Sequence, residues 1–128
     1  MAFLRNPRLV ALARVLFVIA LVVSVTMALI PVPPQLPIDR FGDKFEHMLA
    51  FGTLAGLAAL AFPQSSPWQR IERLSFVGAL IEVFQAIPAL HRDCDFRDWI
   101  ADTLAAVAIT LICALILPQQ REGAKEKL

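Results

Sequence analysis

Long uncharged apolar blocks, each closed by prolines or charges, most strongly constrain how this chain can fold. Residues 48–62 carry no charge, and Glu82 is the only charged residue between positions 74 and 90. Hydrophobic residues make up 58% of the 128 residues and charged residues only 18%. A soluble domain of this size and composition has too little polar surface to cover itself. The sequence therefore predicts a single-domain, all-α integral membrane protein.

Four membrane-spanning helices can be placed from these blocks and from the residues that break helices. Between the blocks, and after the last one, stand Pro31, Pro33, Pro34, Pro37, Pro63, Pro88 and Pro118. Ser66, Pro67 and Gln69 predict a capping box at the start of the third helix. The predicted spans are 9–30, 43–62, 67–87 and 96–117, arranged as a four-helix bundle.

The first block also has features of a secretory signal, namely a basic start and an apolar core. Its apolar stretch is long for such a signal, and only Thr26 and Ala28 suggest a small-residue cleavage site. We therefore favour a retained span, with a cleaved signal as the alternative.

The distribution of Lys and Arg predicts the orientation of the bundle. The N-terminus, the connection between spans two and three and the C-terminus hold eight such residues. They are Arg5, Arg8, Arg14, Arg70, Arg73, Arg121, Lys125 and Lys127. The opposite side holds four, which are Arg40, Lys44, Arg92 and Arg97. Both termini are therefore expected to be cytoplasmic.

Charge and cysteine content exclude some classes of function. The net charge of +1, with scattered basic residues, gives no indication of a nucleic-acid partner. Cys94 and Cys113 would lie about 28 Å apart on one helix, too far for a disulfide, and they lack the spacing of a metal motif.

The predicted orientation brings ionisable residues of three spans to one depth near the outer surface. Asp43 and His47 lie in the first turns of the second span, and Asp98 and Asp102 in those of the fourth. Glu82 lies about 8 Å inside the outer end of the third span. We therefore expect an outward-facing polar pocket.

Spacing along each helix supports this expectation, because small and polar residues recur on one face. The stripe on the third span is Ser75, Gly78, Glu82, Gln85 and Ala89. The stripe on the fourth is Asp95, Asp98, Asp102 and Ala105. On the second span, Gly52 and Gly56 form a GxxxG pair that favours close approach of a neighbouring helix.

Several of these residues have a plain structural alternative. Asp43, Glu46 and Asp95 are placed to cap helices or to favour the positive end of the dipole. Glu82 and Asp102 lie too deep for capping, and a carboxylate near mid-bilayer costs ~2.5–3.5 kcal/mol. Their alternative is a structural polar latch with Arg92 or Lys44. Trp68 and Trp99 are expected to be interface anchors.

Three segments, DKFEHMLAF, IEVFQAIPALHR and DFRDWIADTLAA, resemble in order and spacing the signatures of the VanZ-like family of small polytopic membrane proteins. Those signatures are D-K-x-x-H-x-x-x-F, E-x-x-Q and an R…D…D-x-x-A-N-T-x-G-like stretch. The resemblance covers residues 43–106. It implies site positions at Asp43, Lys44, His47, Phe51, Glu82, Gln85, Arg92, Asp98 and Asp102. Asp102 stands where the family has Asn, and Ala105 where a Gly is usual.

A member of that family is associated with teicoplanin resistance, so the resemblance implies work at the bacterial envelope, from the inner membrane. We expect membrane lipids, and a lipid-linked or anionic envelope precursor, as partners. Lys44 and Arg92 would hold an anionic headgroup, and His47 with Glu82 or Asp102 would exchange protons. No cofactor is expected. A divalent ion held by Glu82, Asp98, Asp102 and His47 is a minor alternative without diagnostic spacing.

Two other classes of function remain open. One is a non-catalytic assembly or partner protein in which the polar residues lock the helices together. The other is an ion or proton pathway, which the absence of charge in the inner halves of spans two and four disfavours. The sequence contains no G-x-S-x-G, H-E-x-x-H or P-loop motif, so no enzyme activity is assigned.

Overall fold

The computed structural model describes residues 3–117, and within that range the chain is all-helical, with four α-helices and no strand. The helices are α1 (Pro7–Leu29), α2 (Asp43–Ala61), α3 (Pro67–Gln85) and α4 (Phe96–Ile116). The prediction of an all-α chain with four helices is confirmed. Pro118 and the predicted inner charges Arg121, Lys125 and Lys127 lie outside the described residues.

The ends of α3 show how local sequence sets the helix boundaries. Ser66 and Gln69 exchange side-chain and backbone hydrogen bonds of 3.1 Å each, which confirms the predicted capping box. Pro88 opens a short 3₁₀ helix, and Ile87 before it is extended, so α3 ends at Gln85. This is expected because a proline disfavours the helical conformation in the residue before it. The prediction of Ala89 on the α3 stripe is therefore wrong.

The two acidic helix starts differ from each other. Asp95 is the N-cap of α4, and its side chain accepts a 2.9 Å hydrogen bond from the Arg97 backbone N–H, as predicted. The N-cap of α2 is Gly42, which adopts a positive φ of 92° and makes no side-chain cap. Asp43 is the first residue of α2, so it does not cap the helix, and that part of its structural alternative does not hold. Its carboxylate still lies at the positive end of the dipole.

Helix α2 lies at the centre of the packing. It packs most extensively on α4 and also contacts α1, while α3 packs mainly on α4. The buried apolar core consists of Phe51, Leu54, Ala55, Leu74, Ile81, Ala105 and Ala106. Gly52 and Gly56 face Ile109 of α4, where an added Cβ would lie 3.4 and 3.8 Å from its side chain. The α2–α4 interface is thus built largely from small residues, which allow the two backbones to approach closely.

Two helices, α1 and α4, are long and apolar enough to cross a membrane. Only 11% and 22% of their most apolar stretches are buried, in contrast to the core helix of a soluble protein. The first of the two lies near the N-terminus, where a signal sequence has the same character. Large apolar side chains on the exposed surface of α1 are Leu12, Val15, Leu16, Val18, Ile19, Val22 and Val23.

Two arginine side chains bind backbone carbonyl oxygens at the C-terminal end of α2. The Arg14 Nε donates to the Ala61 carbonyl oxygen at 3.0 Å, and an Arg70 guanidinium nitrogen donates to that of Phe62 at 3.3 Å. These carbonyls have no partner within the helix, and cations are favoured at this negative end of the dipole. Arg70 is only 6% exposed, and the sequence analysis, which counted it only among the charges of the predicted cytoplasmic side, did not predict this burial.

Truncation of Leu54 tests the core. Leu54 of α2 is fully buried in the apolar core, so Leu54→Ala should lower the free energy of unfolding by about 2–5 kcal/mol. The matched control is Leu104→Ala on the exposed surface of α4, which should change it by roughly 0.5 kcal/mol or less. Reversible unfolding of the purified protein in mixed micelles measures both. Equal effects of the two variants would contradict the packing described above.

Candidate functional site

A buried histidine–carboxylate pair joins α2 to α4. His47 lies one turn into α2 and is 9% exposed, and its Nδ1 donates to the Asp102 Oδ1 at 3.0 Å. Asp102 lies two turns into α4 and is 0% exposed. Because a carboxylate can only accept, this bond places the Nδ1 proton on the side of Asp102 and leaves Nε2 on the opposite side of the ring.

The other ring nitrogen of His47 faces two further carboxylates. Its Nε2 lies 3.9 Å from the Asp98 Oδ2 and 4.0 Å from the Asp43 Oδ2, both too long for a direct hydrogen bond. Asp43 precedes His47 by four residues on α2, and Asp98 precedes Asp102 by four on α4, so each pair shares one helix face. One turn of each helix thus supplies this arrangement.

Lys44 of α2 forms ion pairs with two aspartates at the start of α4. Its Nζ lies 3.1 Å from the Asp98 Oδ1 and 3.3 Å from the Asp95 Oδ2. The hydrogen bond from the Arg97 N–H, and then Lys44, lower the pKa of the Asp95 carboxyl. The stabilisation from that carboxylate is complete above its unfolded pKa and is lost as the pH falls through the lowered pKa. We call Asp43, Lys44, His47, Asp95, Asp98 and Asp102 the His47 cluster.

Glu82 of α3 lies beside this cluster and contacts it through the backbone. Its Oε2 accepts a 2.9 Å hydrogen bond from the Asp95 N–H, and the residue is only 6% exposed. Its Oε1 is buried and has no hydrogen-bond partner among residues 3–117. Glu82 therefore helps to hold the start of α4, and it bonds to neither His47 nor Asp102 in the described part of the chain.

Gln85 and Arg92, unlike Glu82, make no hydrogen bond or ion pair with the cluster among the described residues. Gln85 is buried, but its Nε2 donates to the Ala28 carbonyl oxygen of α1 at 2.9 Å. Arg92 is half-buried in the segment before α4 and makes no ion pair within the described range. Of the eight predicted site residues, the structure brings together Asp43, Lys44, His47, Asp98 and Asp102, with Glu82 adjacent to them.

A second polar contact between α3 and α4 was not predicted. The Trp99 Nε1 donates to the Ser75 carbonyl oxygen at 3.0 Å and to its hydroxyl at 3.1 Å, and Ser75 also bonds the Thr103 hydroxyl at 2.9 Å. Trp99 is therefore a tie between helices as well as a half-exposed aromatic side chain. Ser75 on the polar stripe was the available signal, but its partners on α4 lie off that stripe.

Gly78 of α3 allows Asp102 to be buried. An added Cβ at Gly78 would lie 3.1 Å from the Asp102 Oδ2 and 3.3 Å from the Trp99 ring. The Oδ2 has no hydrogen-bond partner among the described residues. The glycine therefore makes the space that Asp102 needs to reach His47 from α4.

The chemistry available here is that of an acidic site with one imidazole. Asp43, His47 and Asp98 each offer one metal-ligating atom, and within the described residues these atoms lie within 4.8 Å of one another. Asp102 orients the imidazole, which suits proton exchange or metal ligation. Lys44 is already engaged by two carboxylates, so it is not a free anion-binding group.

No protein-family model, curated protein or solved structure matches this chain. The resemblance to the VanZ-like family therefore stays a prediction.

Exchange of Gly78 for alanine tests the contact with Asp102. Alanine is the better helix former by about 0.5–1 kcal/mol, so an unobstructed site should gain stability. At Gly78 the new methyl group displaces Asp102 or Trp99, and we expect a net loss of about 1–3 kcal/mol in the free energy of unfolding. The control Gly56→Ala, with only an ordinary contact at 3.8 Å, should be neutral or stabilising. Stabilisation by both variants would show that a methyl group at Gly78 makes no unfavourable steric contact with Asp102.

Proposed function

We propose that this chain is a multi-pass protein of the bacterial inner membrane, related to the VanZ-like family, that uses the His47 cluster to bind or act on a component of the cell envelope. All four helices would cross the membrane, with both termini in the cytoplasm. The cluster would then face outward, where envelope precursors are exposed.

The observation that carries this proposal is the His47–Asp102 pair, which is buried between α2 and α4. Burying ionisable groups costs free energy that small apolar residues at the same positions would avoid. Ionisable residues within membrane segments mark functional sites by default, because they are expensive to keep there. The pair also lies one or two turns from the helix ends, within reach of a ligand at the membrane surface.

The exposed surface of α1 supports the membrane location. Its valine, leucine and isoleucine side chains are more than 40% exposed at seven positions along one helix. Lipid tails would cover them without any partner protein. The two arginines at the far end of α2, Arg14 and Arg70, lie on the side that the excess of Lys and Arg assigns to the cytoplasm.

Charge narrows the class of ligand. The cluster holds four carboxylates against one lysine and one histidine. An anionic headgroup therefore has to displace a carboxylate from Lys44 or be bridged by a cation. No reaction is assigned, although the His47–Asp102 pair is built as a general base and its orienting carboxylate.

A non-catalytic latch is the second candidate, and one observation favours it. Lys44 is satisfied by Asp95 and Asp98, and Glu82 and Gln85 bind backbone groups of other elements. Polar residues that already tie α1, α3 and α4 together need no ligand to explain them. The two candidates differ in what happens when the exposed members of the cluster are changed.

Labelling of Cys94 tests the outward orientation. Cys94 is exposed and directly precedes Asp95 of the cluster. In a Cys113→Ser background, a membrane-impermeant maleimide should label Cys94 in spheroplasts without permeabilisation. Cys113→Ser, Cys94→Ser is the control for background labelling. Labelling that requires permeabilisation would place the cluster in the cytoplasm and overturn the envelope proposal.

Replacement of the exposed and buried members of the cluster separates a site from a latch. Lys44 is 53% exposed, so Lys44→Gln should leave the bundle folded and change the free energy of unfolding only slightly. Asp102→Asn keeps an oxygen that accepts from His47 and removes the charge. If the cluster is a site, both variants fold and lose the protein's effect on sensitivity to envelope-directed antibiotics. Arg40→Gln, a nearby exposed cation that stacks on Phe41, is the matched control.

Loss of the folded bundle in Lys44→Gln and Asp102→Asn, in step with loss of the phenotype, would assign the cluster to a latch. Wild-type antibiotic sensitivity in both folded variants would remove the cluster from the function of the protein.

A further inference from the structure

We propose that the His47 cluster binds one divalent metal ion, with Asp43, His47 and Asp98 as ligands and Asp102 as the residue that positions the imidazole. The ion would lie between the His47 Nε2, the Asp43 Oδ2 and the Asp98 Oδ2. This deepens the proposed function, on which it rests for its biological meaning, since the ion would supply the positive charge that the cluster lacks.

The first argument is the orientation of the histidine. A metal-ligating histidine almost always donates its other ring N–H to a carboxylate or carbonyl oxygen, which fixes the tautomer and raises the basicity of the ligand. Here the Nδ1 donates to the fully buried Asp102. The neutral imidazole then carries its lone pair on Nε2, which is aimed from a side chain 91% buried into the space between two carboxylates. That nitrogen makes no hydrogen bond with the described residues.

The second argument is the size of the space. The Nε2 lies 3.9 and 4.0 Å from the Asp98 and Asp43 Oδ2 atoms, and one ligand atom of each of the three residues lies within 4.8 Å of the other two. An ion equidistant from three such atoms and lying in their plane is about 2.2–2.5 Å from each, which matches the ~2.3–2.6 Å of calcium and is slightly longer than the ~2.0–2.2 Å of zinc. Asp43 is exposed in the first turn of α2, so a small rotation of its side chain shortens these distances.

The third argument is the use of the two oxygens of Asp98. Its Oδ1 is bound by Lys44, and its Oδ2 faces His47. Lys44 therefore holds the ligand in place without occupying the proposed ion position. Four carboxylates with one lysine leave a net negative charge even when His47 is protonated, and a divalent cation offsets that charge.

The ligand set indicates which ions to expect. One imidazole nitrogen with two carboxylate oxygens suits zinc or manganese, whereas magnesium and calcium prefer sets made of oxygen alone. Three protein ligands leave at least one coordination position open, as in catalytic rather than structural zinc sites. Water or an anionic group of an envelope component would complete the coordination.

Metal titration of the purified full-length protein in detergent tests the proposal. The tag-free protein is treated with EDTA, dialysed, and titrated calorimetrically with Zn²⁺, Mn²⁺, Mg²⁺ and Ca²⁺ chlorides in separate runs. We expect saturable binding of Zn²⁺ or Mn²⁺ at one ion per chain, and weaker or no binding of the other two. Asp43→Asn should weaken that binding at least tenfold, and Asp102→Asn by about 10–100-fold through the orientation of His47.

Three controls make the result decisive. Asp93→Asn removes the same charge from an exposed residue of the same region and should bind like the wild type. Cys94→Ser should also bind normally, because Cys94 is not one of the proposed ligands. Binding that is lost in Cys94→Ser but kept in Asp43→Asn would place the ion at the exposed thiol and overturn the proposal. Asp43 is 62% exposed, so its replacement should leave the helical circular dichroism unchanged.

Manganese gives a direct view of the histidine. The electron spin echo of bound Mn²⁺ should show the modulation from a directly coordinated histidine nitrogen in the wild type and should lose it in His47→Gln. Absence of saturable binding of all four ions, or equal binding by Asp43→Asn and Asp93→Asn, would overturn the metal site. These titrations contain no cells and no envelope ligand, so a negative result leaves the antibiotic-sensitivity test of the proposed function intact. A positive titration, together with wild-type antibiotic sensitivity in Lys44→Gln and Asp102→Asn, would support the metal site and contradict the proposed envelope function.

Discussion

The hydrogen bond between His47 and Asp102 is the interaction on which the arrangement of the other polar residues depends. It crosses the α2–α4 interface at a point where both side chains are buried, and its 3.0 Å length fixes how the two helices are rotated against each other. With that rotation set, Asp43 and Asp98 face the same ring, and Lys44 reaches Asp98 and Asp95. A different rotation of α4 would bury Asp102 without a partner, which costs far more than the bond gains.

The small residues of the interface make this bond geometrically possible. Gly78 leaves room for Asp102 on the α3 side, and Ala105 and Ala106 let α4 approach α2 one turn further along. The polar cluster and the apolar core are therefore parts of one packing solution. Larger side chains at these positions would widen the interface and separate His47 from its carboxylate.

The sequence predicted the helices well and the partners of polar side chains less well. Charge-free blocks, prolines and the capping box at Ser66 located four helices, because these signals act within a few residues. The four-residue spacing of Asp98 and Asp102 correctly placed both on one buried face. Gln85 bonds α1, and Arg92 stays outside the cluster, because such contacts depend on helix rotation and loop path, which spacing does not specify. The burial of Arg70 escaped prediction for the same reason, since its partner is a backbone carbonyl.

The two ends of α2 differ in the charged side chains that lie near the helix dipole. At its start, Asp43 and the neighbouring carboxylates accumulate negative charge near the positive end of the helix dipole. At its end, Arg14 and Arg70 donate to the Ala61 and Phe62 carbonyl oxygens, the second of which also accepts from the Ser65 N–H. Each arginine donates to one backbone carbonyl, although the buried Arg70 Nε has no hydrogen-bond partner among the described residues. The carboxylates outnumber the cations available to them among residues 3–117, and one helix dipole does not offset that excess. The start of α2 thus keeps an excess of negative charge among the described residues, and this excess is the electrostatic basis of the proposed ion.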